Sequence, residues 1–134
     1  MEPTDGDSIK LTVPATAAAV RITRVGAAGV ATRAGLTYRE VEEVRLAVGE
    51  AAALLAVGEG KGDETRGTLV VTYTVGGGGL SVELRVEGDG AEPAPLPDLA
   101  AALLDASVDD WEAADGGRRI VLHKHRADEG DDED

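Results

Sequence analysis

The chain contains no cysteine and no phenylalanine, and aromatic side chains make up only 2% of its 134 residues. The lack of cysteine excludes disulfide bonds, thiolate metal sites and cysteine nucleophiles. Because aromatics are scarce, a core must be built from Val, Leu, Ile and Ala, which bury little apolar area per residue. A chain of this length holds one such core, so we expect a single domain.

Basic residues are also few, with 13 Lys and Arg against 26 Asp and Glu, which gives a net charge of −13. This charge repels phosphate backbones and anionic lipids and argues against direct nucleic-acid or membrane binding. Six of the acids fall within residues 128–134. We therefore predict a domain of residues 1–127 followed by an acidic disordered tail, with a docking role for the tail as the alternative.

Long apolar runs are missing, since none approaches the roughly 18 residues that a membrane helix needs. The first residues, MEPTDGDS, lack the basic and apolar parts of a signal peptide, so we expect a cytoplasmic protein. The chain has no Gly-x-x-x-x-Gly-Lys phosphate loop and no Gly-x-Ser-x-Gly elbow. His123 and His125 share a strand face but lack a third ligand, so we predict no metal site there.

The apolar pattern predicts an alternating order of strands and helices. Strands are expected at residues 9–13, 68–75, 80–86 and 119–123, with a short extended piece around Trp111, and helices at 16–34, from 37 onward and at 98–107. This order predicts an α+β two-layer sandwich, a mixed, mostly antiparallel sheet with helices on one face. In the last helix we expect Asp98 as the cap and Leu99, Leu103 and Leu104 to be buried. In the first helix, Gly26 and Gly29 are expected to allow close packing.

The second helix has the clearest signals. Thr37-Tyr38-Arg39-Glu40 is a capping-box pattern, and one apolar stripe follows at helical spacing: Val41, Val44, Val48, Ala51 and Leu55. At 100° per residue, Glu50 lies about 150° from the middle of that stripe, so it is predicted to face away from the main core. Considered alone, Glu50 would be a surface acid.

Taken together, these segments resemble a known family. The stretch VRITRVGAAGVATRAGLTYREVEEVRLAVGEAAALL, with IKLTVPA before it and the hairpin after it, resembles the anti-sigma factor serine kinase family. LAALLDASVDD followed by DGGRRIVLHK resembles that family's closing helix, Gly-rich turn and final strand. The resemblance implies the histidine-kinase-like (GHKL) ATPase fold.

The resemblance also implies a nucleotide site that differs from the family pattern. The family carries a Glu followed four residues later by an Asn, which share a helix face beside the attacking hydroxyl and Mg²⁺. Glu50 matches the glutamate and is implied as the catalytic, nucleotide-facing residue, whereas Leu54 stands at the asparagine position. ATP is therefore the implied cofactor, but the missing amide argues against Mg²⁺, and no metal ligand is predicted. Pro97 stands in the family's Gly-x-Gly phosphate turn and has no N–H to donate.

Four further residues are implied to bind the nucleotide. Asp89 and Gly90 fall where the family has its adenine-binding Asp-x-Gly-x-Gly box. Gly116 and Gly117 fall in the Gly-rich turn near the phosphates, where Arg118 replaces the usual threonine.

The family's first helix carries an arginine that contacts both the sigma factor and its antagonist. Arg21 falls at the matching place and Arg24 lies one turn further on, so both are implied to bind partner proteins. The leading hypothesis is sequestration of a sigma factor, controlled by an antagonist protein, with a degenerate ATP site. The alternative is an active ATP-dependent serine/threonine kinase that phosphorylates the antagonist, and a third is an adaptor for another partner. The family and the edge strand at residues 9–13 also indicate a homodimer.

Overall fold

The computed structural model describes residues 7–56, 67–88 and 96–127. Its elements are β1 (Asp7–Pro14), α1 (Ala17–Arg33), α2 (Tyr38–Ala56), β2 (Thr68–Gly76), β3 (Gly79–Glu87), α3 (Asp98–Ser107), β4 (Asp110–Ala114), a 3-10 turn (Asp115–Gly117) and β5 (Arg119–His125). The acidic segment 128–134 lies outside the described residues, so the predicted tail and domain boundary stay predictions. In the ranges given above, no helix is long and apolar enough to span a bilayer.

The five strands form one sheet in the order β1-β2-β3-β5-β4. Tyr73, Val82, Leu122 and Trp111 lie opposite one another across β2, β3, β5 and β4. Every described strand pair is antiparallel, so the part of the chain in view has no parallel pair. The predicted α+β fold class, a sheet with helices on one face, is confirmed.

The two faces of the sheet have different chemistry. One face carries the strand residues of the core: Leu69, Val71, Tyr73 and Val75 of β2, Leu80, Val82, Leu84 and Val86 of β3, and Ile120 and Leu122 of β5. The other face carries Glu83, Arg85 and Arg119, which form ion pairs across β3 and β5. Because side chains alternate along each strand, the helices cover only the apolar face.

The loop between α1 and α2 uses the predicted capping box. The Thr37 backbone N–H donates to Glu40 Oε1 at 2.8 Å, and the Glu40 N–H donates to Thr37 Oγ1 at 3.1 Å. Gly35 has a φ of 87°, which favours glycine and ends α1. All five residues of the predicted apolar stripe of α2 are buried, so the stripe is confirmed.

Three expectations about α1 and α3 are corrected. Leu99 was expected in the core but is 82% exposed, because α3 buries the stripe Ala100, Leu104 and Ser107, and Leu99 points elsewhere. Asp98 is not the cap, since Pro97 occupies that position without a side-chain hydrogen bond. Gly29 has nothing within 4 Å of where a Cβ would lie, so it serves no close packing.

Candidate functional site

Helix α2 runs back along strand β5. At its start, Glu40 Oε2 accepts from the Ala127 N–H at 3.1 Å, and Glu43 Oε1 accepts from Lys124 Nζ at 2.7 Å. Further on, Val48 and Leu122 line the same small gap in the core. The C-terminal half of α2 is therefore directed toward the beginning of β5, which is the end of the sandwich where β4 turns into β5.

Glu50 lies on the side of α2 that faces α3. Glu43 marks this side, because Lys124 bridges it to the Ser107 carbonyl at the end of α3, with an Nζ to O distance of 2.9 Å. Seven residues make nearly two full turns, so Glu50 shares the side of Glu43, and Leu54 continues it four residues later. Glu50 is half-exposed, and no hydrogen bond or ion pair to another described residue engages its carboxylate. The structure thus places Glu50 and Leu54 on a common side of α2, the side that faces α3.

Lys124 lies beside the α3-facing side of α2, and the sequence patterns did not single it out. Its side chain is only 11% exposed and joins α2, α3 and β5 through the bonds to Glu43 and Ser107. The signal was a lysine at a core-facing position, two residues after Leu122 in the alternation of β5. The Lys124 ammonium group is stabilised there by one carboxylate and by a carbonyl at the C-terminal end of α3.

The turn from β4 to β5 contains the predicted residues Gly116 and Gly117. Asp115, Gly116 and Gly117 have φ values of 57°, 69° and 96°, so three successive residues adopt left-handed backbone. Glycine and aspartate tolerate this conformation, and such turns present backbone N–H groups that can bind anions. The neighbouring strand is held by Trp111, whose Nε1 donates to Asp105 Oδ1 at 2.7 Å.

The structure does not test the adenine-binding prediction, because Asp89 and Gly90 lie outside the described residues. The chain enters this segment at Gly88, beside the end of β3, with a φ of 112°. It returns at Leu96, which packs against the core next to Pro97 at the start of α3.

Arg21 and Arg24 are exposed residues of α1. Arg24 crosses Gly49, where an added Cβ would lie 2.9 Å from Arg24 Cδ and 3.2 Å from Nε. Among the residues placed by the structure, no carboxylate lies within 4.0 Å of either guanidinium. The two arginines therefore belong to the exposed surface of α1, whereas Glu50 lies on the α3-facing side of α2. Gly49, a glycine inside an Ala-rich helix, was the sequence signal for the close approach of Arg24.

This chain and its fold match known proteins. Residues 13–131 match the family model described as histidine kinase-like ATPase domain. The chain is 32% identical over 127 residues to the serine-protein kinase RsbW of Bacillus velezensis, covering 94% of this chain and 78% of that protein. The crystal structure of the RsbU and RsbW domains of Rv1364c from Mycobacterium tuberculosis aligns with a TM-score of 0.66 at 19% identity, over 92% of this chain and 33% of that chain.

The chain belongs to the histidine kinase-like ATPase family, in its anti-sigma factor serine kinase branch. The residues that the family resemblance implies for a nucleotide site fit a nucleotide better than they fit Mg²⁺. The glycine turn offers backbone N–H groups to phosphate, whereas Leu54 has no oxygen to offer a hard cation. Across the described ranges, no three His, Asp or Glu side chains are grouped closely enough to hold a metal ion.

Proposed function

We propose that this protein is an anti-sigma factor that sequesters a sigma factor, is controlled by an antagonist protein, and has a nucleotide site without its metal ligand. The observation that carries the proposal is that the two sides of α2 have different neighbours and different chemistry. Its α3-facing side has Leu54 in place of a metal-binding amide, while α1 on the other side keeps Arg21 and Arg24 exposed. Loss of Mg²⁺ coordination removes much of the charge neutralisation that phosphoryl transfer needs.

The charge of α1 supports a role in protein binding. The helix contains Arg21, Arg24 and Arg33 and no acidic residue, in a chain of net charge −13. Arg33 is paired with Asp7 at 2.8 Å, which leaves Arg21 and Arg24 for a partner. These two arginines would pair with an acidic segment of a partner protein. The rest of this chain is acidic and would attract the basic regions of a sigma factor, and this attraction speeds the encounter of the two proteins. A stable complex of this kind buries on the order of 1,600 Å².

The test is retention of purified sigma factors of the source organism on the immobilised protein. We expect one sigma factor to be retained, and a double variant Arg21→Ala/Arg24→Ala to weaken retention at least tenfold. Arg39→Ala is the control. Arg39 is also an exposed helix arginine, but it lies at the start of α2, at the other end of that helix from Gly49. Retention of no sigma factor, together with unchanged transcription when the protein is added, would refute sequestration.

An active serine/threonine kinase is the second candidate, and the half-exposed Glu50 on the α3-facing side favours it. In this role Glu50 takes the proton of the antagonist's serine as ATP donates its terminal phosphoryl group. Incubation with labelled ATP and the cognate antagonist tests the activity. Transfer that persists in Glu50→Ala would remove Glu50 from the mechanism, and no transfer by the unmodified protein would remove the kinase.

We also infer a homodimer formed at the edge of the sheet. A groove of about 450 Å³ lies between β1 and α1, lined by apolar side chains that include Ile9, Leu11, Ile22 and Val25. Ile22 and Val25 are 51% and 70% exposed. When the β1 strands of two copies pair with Leu11 at the centre, the residues that meet on the covered face of the sheet are all apolar. The pairing also closes the free edge of the sheet.

A cysteine cross-link tests this dimer, because the chain has no cysteine of its own. Leu11→Cys should form a disulfide-linked dimer on mild oxidation, since the two copies of residue 11 are directly opposed. Thr12→Cys is the matched control and should cross-link far less, because its copies are offset. A monomeric mass in light scattering at every concentration would contradict the dimer.

A further inference from the structure

The chain passes from the described residues into the acidic segment 128–134 beside the loop that joins α1 to α2. Arg126 Nη1 donates to the Ala34 carbonyl at 3.3 Å, and the Ala127 N–H donates to Glu40 Oε2 at 3.1 Å. These bonds hold residues 126 and 127 against the end of α1 and the start of α2. Six carboxylates, within the sequence DEGDDED, therefore follow directly from this loop.

The rest of the chain as a whole repels such a segment, and α1 is the exception. Residues 1–127 contain 20 acidic residues against 13 basic ones, a net charge of −7. Helix α1 carries Arg21, Arg24 and Arg33 and no acidic residue. Charges act on one another over about 10 Å at ordinary salt concentrations. The outer surface of α1 is therefore the neighbouring region that attracts these carboxylates.

Three arginines, Arg21, Arg24 and Arg45, lie along the junction of α1 and α2 and are called the arginine surface below. Arg24 crosses Gly49, and Arg45 precedes Gly49 by one helical turn and so shares its α1-facing side. Arg21 precedes Arg24 by one turn on α1. Arg45 lies 3.7 Å from Glu42, but the two side chains are 41% and 43% exposed, and exposed ion pairs of this kind are weak. The arginine surface therefore keeps most of its charge for a ligand.

The acidic segment is long enough to reach this surface. Counted back from Arg33 at the end of α1, Arg24 lies about 14 Å and Arg21 about 18 Å along the helix axis. Seven extended residues span about 23 Å. The carboxylates of residues 131–134 can therefore lie beside the guanidinium groups of Arg24 and Arg21.

We propose that the acidic segment 128–134 binds the arginine surface of its own chain and competes there with the acidic segment of a partner protein. Each exposed charge pair is weak, but a segment held on the same chain has an effective concentration on the order of millimolar, and six carboxylates face three guanidinium groups. Only molecules with a free arginine surface can then bind the partner, so the segment lowers the apparent affinity. The competition, though not the contact itself, rests on the proposed function.

A spin label tests the contact without any partner. Gly130→Cys provides a single cysteine for a nitroxide in the full chain, and the nitroxide should broaden the backbone N–H resonances around Arg21 and Arg24. The broadening should decrease strongly at about 1 M salt, which screens exposed charges. It should also decrease in the triple variant Arg21→Ala/Arg24→Ala/Arg45→Ala. Lys10→Ala is the control, because Lys10 is an exposed lysine on the sheet face that the helices do not cover, and it should leave the broadening unchanged.

Absence of this broadening, or broadening that neither salt nor the triple variant reduces, would overturn the contact. The competition is measured in the full chain with all six acids of residues 128–134 replaced by their amides. This variant should bind the sigma factor retained by the unmodified protein about threefold more tightly at low salt. Equal affinity would overturn the competition while the spin label still decides the contact. Retention of no sigma factor would count against the proposed function, and the spin-label result would stand separately.

Discussion

Gly26 and Gly29 lie three residues apart in α1, and their replacement by alanine should have opposite effects on stability. In a helix interior, alanine is more stable than glycine by about 1 kcal/mol. At Gly29 a Cβ would meet nothing within 4 Å. Gly29→Ala should therefore raise the free energy of unfolding by about 1 kcal/mol.

At Gly26 the new methyl group meets an atom that cannot move away. A Cβ there would lie 2.9 Å from the Tyr73 hydroxyl oxygen. Tyr73 is buried, and its hydroxyl donates to the Thr23 carbonyl at 2.8 Å, which fixes the ring. Overpacking of this kind costs about 1–3 kcal/mol, which outweighs the propensity gain. Gly26→Ala should thus be about 2 kcal/mol less stable than Gly29→Ala.

Urea unfolding followed by circular dichroism measures both variants, at several protein concentrations so that association is separated from folding. The double variant Gly26→Ala/Tyr73→Phe is the control, because removing the hydroxyl should relieve the contact and recover most of the loss. If Gly26→Ala were as stable as Gly29→Ala, the packing of α1 on Tyr73 would differ from that described.

Three further predictions concern the α3-facing side of α2 and the core. Lys124→Met should lower the free energy of unfolding by about 1–3 kcal/mol because Glu43 and the Ser107 carbonyl lose their donor. The control, Lys10→Met on the exposed face of β1, should change the free energy of unfolding by less than about 0.5 kcal/mol. Equal effects of the two substitutions in urea unfolding would contradict the bridge. Leu54→Asn restores an amide oxygen four residues after Glu50 and should make ATP affinity rise about tenfold on adding Mg²⁺, measured by calorimetry; an affinity indifferent to Mg²⁺ would show that this position does not face the phosphates. Burial raises the pKa of Tyr73 well above its ordinary value, so its stabilising contribution is complete below about pH 10 and is lost at higher pH. The absorbance at 295 nm of the unmodified protein and of Tyr73→Phe should differ only once the protein unfolds at alkaline pH, and Tyr73→Phe should flatten the alkaline loss of stability; a difference before unfolding would refute this.

The elements of the fold follow from local patterns. Thr37 and Glu40 satisfy each other's backbone N–H groups, which sets the start of α2 whatever else packs on it. The hairpin follows from Gly77 and Gly78, both with positive φ, between two alternating strands. Such signals act over a few residues, so sequence alone was enough to predict them.

The details of the site depend on contacts between distant residues. The bridge from Lys124 to Glu43 joins residues 81 positions apart, and the packing of Arg24 on Gly49 joins two helices. Leu99 was misassigned for the same reason, because a short helix that is apolar on several sides does not reveal which side meets the core. Three-dimensional packing decides these cases, and a single sequence does not contain it.

The arrangement of α2 explains how protein binding and nucleotide chemistry can be lost or kept independently. Its core stripe faces the sheet, Gly49 receives Arg24 on the α1-facing side, and Glu43, Glu50 and Leu54 share the α3-facing side. Replacing an amide by a leucine on the α3-facing side alters neither the stripe nor the packing of Arg24, since these lie elsewhere on the helix surface. A chain of this family can therefore lose its metal ligand while the surface of α1 that we propose for a protein partner stays in place.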